Sequence, residues 1–196
     1  MRVVLATANP GKQREFAVLL EPRGFELVLQ SALGVASIEE TGRTFEDNAL
    51  LKARHAAAAG FPALADDSGL EVDALGGRPG VWSARFAGPT ATDEENNQEL
   101  LRALAGIPEE RRSARYRCVL ALVRSAADPH PLIAQGSWEG RIALAPAGTG
   151  GFGYDSCFIP SGLDVTAAEL SPVRKNALSH RGVALRDLVA RLPSWR

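Results

Sequence analysis

An α/β fold with a mixed central sheet flanked by helices is what this 196-residue sequence predicts, and three observations predict it. Short apolar runs at Val3 to Ala6, Phe25 to Gln30 and Ala63 to Ala65 are interleaved with capped amphipathic stretches, the pattern of strand–helix crossovers. Ala114 to Val123 and Leu132 to Trp138 read as two strands joined by Ala127-Asp128-Pro129-His130-Pro131, an antiparallel hairpin with a slightly long loop. Crossovers and a hairpin in one chain require parallel and antiparallel pairs in one sheet. The length suits a single domain over residues 1–196 with a substantial core.

Taken in order, Val3 to Ala6 is a buried strand, followed by Thr7-Ala8-Asn9-Pro10-Gly11-Lys12 and a helix from Gln13 to Leu20 with Phe16, Leu19 and Leu20 on one face. Asn9 is a good N-cap, Pro10 suits the first helical position, and Lys12 falls in the first turn. Free backbone N–H groups and a cation there suit an anion such as phosphate. The Walker spacing is absent. After the strand Phe25 to Gln30, Glu39-Glu40 lie in a loop, and Thr44-Phe45-Glu46-Asp47 is a capping box opening a helix to about Ala59. On that helix Asn48 and Lys52 share a face, as a solvated stripe or as an amide and a cation aimed together.

Ala63-Leu64-Ala65 ends on Asp66-Asp67-Ser68-Gly69, read as a strand closed by a turn at Ser68-Gly69. Adjacent strand side chains point to opposite faces, so one of Asp66 and Asp67 enters a site and the other supports the turn or backbone, the plain alternative being an Asx-turn. Leu70 to Leu75 alternates as a further half-buried strand. Val81 to Phe86 mixes aromatic groups with Arg85, which is either a substrate contact or a cation stacked on Trp82 or Phe86. Thr92 caps a helix bearing Leu100, Leu101 and Leu104. Gly148 to Asp155 is the most glycine-dense stretch, followed by the short strand Cys157 to Ile159. Ser171-Pro172 opens a final helical region with Leu178, Leu185, Leu188 and Leu192 as its apolar stripe.

Composition narrows the function classes. A formal net charge of -1, with 23% charged and 45% hydrophobic residues, gives no global field for nucleic acid or acidic lipid, so no stable nucleic-acid binding is expected. Two cysteines, Cys118 and Cys157, make neither a zinc half-site nor a disulfide framework, and buried free thiols are expected. No stretch approaches membrane-spanning length, and the N-terminal apolar run is too short for a signal peptide, so no membrane and a cytoplasmic location are the expectations. Carboxylates without Cys or His at ligand spacing suit a hard ion such as Mg²⁺. Cations and backbone N–H groups suit phosphate, and Phe152 and Tyr154 flanking Gly153 suit a flat ring. Together these describe a nucleoside triphosphate with Mg²⁺.

The motifs Ala6-Thr7-x-Asn9-x-x-Lys12-x-x-Glu15, Glu40-Thr41-Gly42-x-Thr44-Phe45-x-x-Asn48-Ala49-x-x-Lys52-Ala53, Ala65-Asp66-Asp67-Ser68-Gly69-Leu70, Gly80-x-x-Ser83-Ala84-Arg85, Gly148-Thr149-x-Gly151-Phe152-Gly153-Tyr154-Asp155 and Ser179-His180-Arg181 occur in this order. They closely resemble the inosine triphosphate pyrophosphatase family, from the first strand to the last helix. The resemblance implies hydrolysis of ITP, dITP and XTP to the monophosphate and pyrophosphate, cleansing the nucleotide pool. It also implies Mg²⁺, a homodimer, and an elongated two-lobed fold with a cleft between the lobes. Carried over residue by residue, it implies that Thr7, Asn9 and Lys12 hold triphosphate and that Lys52 contacts phosphate. Glu39 and Asp67 place the metal, with Glu40 open as an alternative to Glu39, and Asp67 also activates water. Ser68 lines the same pocket. Phe152, Gly153, Tyr154, Asp155, Lys175, His180 and Arg181 recognise the purine. A keto group at purine position six accepts where adenine's amine donates, which separates inosine and xanthine from adenine though not from guanine. Two rivals remain: a pyrophosphatase for another modified base, and a non-catalytic nucleotide-binding module, which would release no pyrophosphate.

Overall fold

The computed structural model describes Met1 to Trp195. The strands are β1 (Arg2–Leu5), β2 (Glu26–Leu29), β3 (Ala63–Val72), β4 (Ser113–Val123), β5 (Leu132–Ile142) and β6 (Phe158–Pro160). The helices are α1 (Pro10–Leu20), α2 (Phe45–Ala56), α3 (Asp93–Ala103), α4 (Pro172–Leu178) and α5 (His180–Trp195). The strands form one sheet in the order β2-β1-β3-β4-β5-β6. β1 pairs parallel with β2 and with β3, whereas β5 and β6 are antiparallel, so the sheet is mixed as expected.

The chain divides into two compact units. The first takes Met1–Asp67, Cys118–Gln135 and the chain from Arg181; the second takes Ser68–Arg117 and Gly136–His180. The first unit buries Val3, Leu5, Phe16, Leu64, Leu120 and Leu188 together. The second buries Leu70, Leu100, Tyr116, Trp138, Ile142 and Phe158. Cys118 and Cys157 are buried free thiols. Among the described residues no helix is long and apolar enough to cross a membrane.

Local sequence explains most helix starts. The Asn9 side chain accepts from the backbone N–H groups of Gly11 and Lys12, and Pro10 opens α1. Thr44 accepts from Asp47 N–H at α2, and Thr92 with Glu95 completes a capping box at α3.

Three expectations are corrected. Ser68-Gly69 is not a turn: β3 runs unbroken from Ala63 to Val72, through both aspartates. Turn propensity loses there because the buried carboxylates find cations, which removes the penalty that would expel them from a strand interior. Leu70 to Leu75 is accordingly no separate strand; Leu70–Val72 closes β3 and Asp73–Leu75 is a 3-10 turn. Leu178 leaves the expected stripe, because α4 ends there with the residue 40% exposed, while Ala184, Leu185, Leu188 and Leu192 form the buried face of α5.

Candidate active site

Asp66 and Asp67 stand side by side in the first unit, both buried, and strand alternation sends them to different partners. Asp66 Oδ2 lies 2.8 Å from Lys12 Nζ of α1 and accepts from Arg181 Nη2 of α5 at 3.0 Å. The other guanidinium nitrogen of Arg181, Nη1, donates to Glu15 of α1. Burial alone would raise the Asp66 pKa, but Lys12, Arg181 and Lys52 outweigh it and hold this carboxyl well below the usual carboxylate range. Arg181 is itself fully buried, its charge retained through Asp66 and Glu15.

Asp67 meets α2. Its Oδ2 accepts from Asn48 Nδ2 at 3.1 Å and its Oδ1 from Lys52 Nζ at 3.0 Å. Asn48 Oδ1 accepts in turn from Gly42 N–H at 2.8 Å, which fixes the amide orientation. The i, i+4 spacing of Asn48 and Lys52 thus aims an amide and a cation at one carboxylate. Lys52 Nζ also donates to Glu40 Oε1, so Glu40 joins this cluster while Glu39 is exposed. Burial pushes the Asp67 pKa above the ordinary carboxylate value; Lys52 opposes that and Glu40 adds to it. For Lys52, burial acts downward, but Asp67, Asp66 and Glu40 prevail and raise it. A buried carboxylate with an elevated pKa beside a lysine suits proton acceptance and phosphate binding.

The loop before α1 is more self-contained than its sequence suggests. Asn9 Oδ1 takes the N–H groups of Gly11 (2.8 Å) and Lys12 (3.1 Å), and Thr7 Oγ1 takes that of Asn9 (3.1 Å). Backbone donors expected to be free are therefore capped, and Lys12 Nζ is the cation this segment offers. Ser68 is half-buried and follows Asp67 directly in β3.

A second cluster lies wholly within the second unit. Asp155 Oδ2 accepts from Phe152 N–H at 2.9 Å and from Lys175 Nζ at 2.6 Å. Lys175 Nζ sits 4.5 Å from the Phe152 ring centroid, a cation–π contact. His180 stacks on Tyr116 with centroids 4.6 Å apart and planes 6° from parallel. The Tyr116 hydroxyl donates to Asp155 Oδ1 at 3.4 Å. Gly153 is pinned by α3, its N–H on Asp93 Oδ2 (2.6 Å) and its carbonyl on Asn97 Nδ2 (2.8 Å). A cavity of about 540 Å³ opens along the loop, lined by Asp93, Asn97, Gly148, Phe152, Gly153 and Asp155. That volume accommodates a purine base. Tyr154 points elsewhere: it is buried, its hydroxyl donating to the Ser83 carbonyl at 2.7 Å.

The predicted residues therefore fall into two groups. Lys12, Lys52, Asp67 and Arg181 gather in the first unit, and Phe152, Gly153, Asp155, Lys175 and His180 in the second. His180 and Arg181, adjacent at the start of α5, serve different units. Arg85 lies 4.4 Å from the Trp82 ring centroid, the stacked alternative. Tyr116 went unremarked in the sequence because Ala114, Tyr116 and Cys118 alternate like any buried strand face. Glu15 stands in a recognisable motif without a stated role, and of the two readings of Asn48 with Lys52 the structure shows the amide and cation aimed together.

The Ham1 family profile matches residues 3–191. The dITP/XTP pyrophosphatase of Yersinia pseudotuberculosis is 58% identical, over 94% of this chain and 94% of its own. That of Escherichia coli O157:H7 is 56% identical over 96% of each chain. Among solved structures, a HAM1 protein from Coxiella burnetii superposes with a TM-score of 0.91 at 49% identity, covering 99% of both chains. The Staphylococcus aureus Ham1 protein gives 0.87 at 37% identity over the whole of both.

Proposed function

The chain belongs to the Ham1 family, and from that membership we propose that it hydrolyses non-canonical purine nucleoside triphosphates (ITP, dITP and XTP) to the monophosphate and pyrophosphate. The observation that carries this reading is the buried Asp67 with Lys52 and Asn48 on it, a proton acceptor built beside a phosphate-binding cation. Asp67 takes a proton from the water that attacks the α-phosphorus. Lys52 offsets charge on the phosphates as the bond to the β-phosphate breaks. Lys12 exchanges the Asp66 carboxylate for a phosphate oxygen.

The cofactor proposed is Mg²⁺. Among the described residues no group of three or more His, Cys, Asp or Glu gathers as a complete metal cage. Asp67 and Glu40 nevertheless converge on Lys52, and one or two carboxylates completed by water and substrate phosphates is how Mg²⁺ is usually held. The donor set fits. Asp67 with Glu40 or Glu39 would hold the ion, which when bound neutralises charge on the triphosphate.

In the second unit the base is read by Phe152, Gly153, Asp155, Lys175 and His180. Phe152 offers a ring face, and Lys175 and His180 offer donors to a six-keto oxygen. A homodimer in the cytoplasm is the proposed working form, supported by the family resemblance.

Product analysis with ITP, GTP and ATP in Mg²⁺ tests the reading. Inosine monophosphate and pyrophosphate, with little turnover of ATP and loss of activity in Asp67→Asn, are expected. Orthophosphate as the first product would move the cut to the terminal phosphate and overturn the mechanism. No turnover of any triphosphate would leave a nucleotide-binding module.

A further inference from the structure

We propose that Tyr116, a core residue of β4, is a positioning residue that sets base selectivity by holding the His180 ring and the Asp155 carboxylate in place. The proposal rests on the reading of the Phe152–Asp155–Lys175–His180 cluster as the purine site. Tyr116 meets two members of that cluster through different chemistry. Its ring lies flat on the imidazole of His180, centroids 4.6 Å apart and planes 6° from parallel, and its hydroxyl donates to Asp155 Oδ1 at 3.4 Å.

The ring is itself braced. Phe158 meets it edge-on at 4.8 Å, Trp138 lies stacked at 6.5 Å, and Phe158 and Trp138 touch each other at 5.4 Å. Offset and edge-to-face aromatic pairs favour particular mutual orientations, so this cluster works as a platform and not merely as filler. His180 begins α5 directly after Ser179, the extended residue that follows α4. Its backbone position leaves the ring a choice of rotamers, and a flat stack selects one. Asp155 is held on its other oxygen by Phe152 N–H and Lys175. The Tyr116 hydroxyl therefore limits rotation of a carboxylate already fixed on one side. Donor and acceptor placement within a fraction of an ångström is what distinguishes a six-keto oxygen from an amine, so loosening these two groups should act on selectivity before it acts on turnover.

The test uses the full chain and three variants. Tyr116→Leu removes the ring and the hydroxyl, Tyr116→Phe keeps the ring, and His180→Ala removes the proposed base contact. For Tyr116→Leu, KM for ITP is expected to rise roughly tenfold, with kcat changed much less and the ITP-to-ATP ratio of kcat/KM falling by a similar factor. Tyr116→Phe should restore most of the loss, because the stack survives. A merely structural residue would instead lower the melting temperature and the active fraction for every substrate alike, with KM and the ratio unchanged; that result overturns the proposal. Should Tyr116→Leu fail to fold, the imidazole proton resonances of His180, assigned by their loss in His180→Ala, decide the matter. Ring-current shifts upfield, persisting in Tyr116→Phe, support the stack, and ordinary positions reject it. If His180→Ala leaves the ITP-to-ATP ratio intact, the base-site reading itself fails. If His180→Ala changes the ratio while Tyr116→Leu does not, the site stands and the role of Tyr116 falls.

Discussion

Asp66 and Asp67, neighbours in β3, send their carboxylates to different helices: Asp66 to Lys12 of α1 and Arg181 of α5, Asp67 to Asn48 and Lys52 of α2. The same residue type in consecutive positions thereby acquires opposite electrostatics. Asp66 is held far on the ionised side, while burial pushes the pKa of Asp67 upward. One is suited to hold cations in place and the other to accept a proton.

The two asparagine substitutions should therefore fail in different ways. Asp67→Asn keeps the shape and the hydrogen bond from Lys52 but removes the base, so pyrophosphate release should fall by roughly 10²–10⁴ with the fold retained. Asp66→Asn leaves Lys12 and the fully buried Arg181 facing a neutral amide, and breaking a buried pair this way costs about 3–5 kcal/mol. Denaturant unfolding beside a pyrophosphate assay separates them. Equal stability losses in the two variants would contradict the division of roles.

The Asp66 pair also predicts the direction of a pH effect. A carboxylate whose folded pKa lies below its unfolded value of about 3.9 binds its proton more readily when unfolded. Its stabilising contribution is fully present above that unfolded value and is lost as pH falls toward the folded pKa. The stability gap between the wild type and Asp66→Asn should thus be constant from neutral pH down to about pH 5 and narrow below about pH 4. A gap that widens in acid would mean that this carboxylate is not the ionised partner of Lys12 and Arg181.

How much of this was legible beforehand depended on range. Asn9, Thr44 and Thr92 act within three residues, and their caps were readable as written. The Asn48–Lys52 spacing showed a shared face, though not that Asp67 would be its target. Arg181 and Asp66 are 115 residues apart, and no local pattern pairs them. The same long-range pairing explains the misplaced turn at Ser68-Gly69, since turn propensity was read without the cations that let β3 continue. Tyr116 was hidden for the opposite reason: its pattern was ordinary, and only the packed neighbours make it a candidate.

Glu40 provides a prediction about the metal. The sequence leaves Glu39 and Glu40 open as the second metal carboxylate, and in the structure Lys52 Nζ joins Glu40 and Asp67. If Asp67 and Glu40 share the ion, Glu40→Gln should raise the Mg²⁺ concentration for half-maximal activity roughly tenfold, whereas Glu39→Gln should leave it nearly unchanged. Titrating Mg²⁺ at saturating ITP measures this. A shift confined to Glu39→Gln would return the ligand role to Glu39.

Gly151 gives the most local prediction. Its φ of +74° lies in the left-handed region, where a side chain is strained. A Cβ built there would meet Asp155 Oδ2 at 2.0 Å, far inside contact distance. That oxygen accepts from Phe152 N–H and Lys175 Nζ, so it has no unstrained place to retreat. Gly151→Ala should therefore shift the Asp155 carboxylate and loosen Lys175 above Phe152, costing about 1–2 kcal/mol from the backbone conformation before any clash is counted. Gly162, also at positive φ (+78°), has nothing within 4 Å of its Cβ position and is not among the base-reading residues, which makes Gly162→Ala the control for backbone strain alone. Both variants should melt lower than the wild type, but only Gly151→Ala should raise KM for ITP. Equal KM changes in the two would attribute the effect to loop strain and remove Asp155 from the explanation.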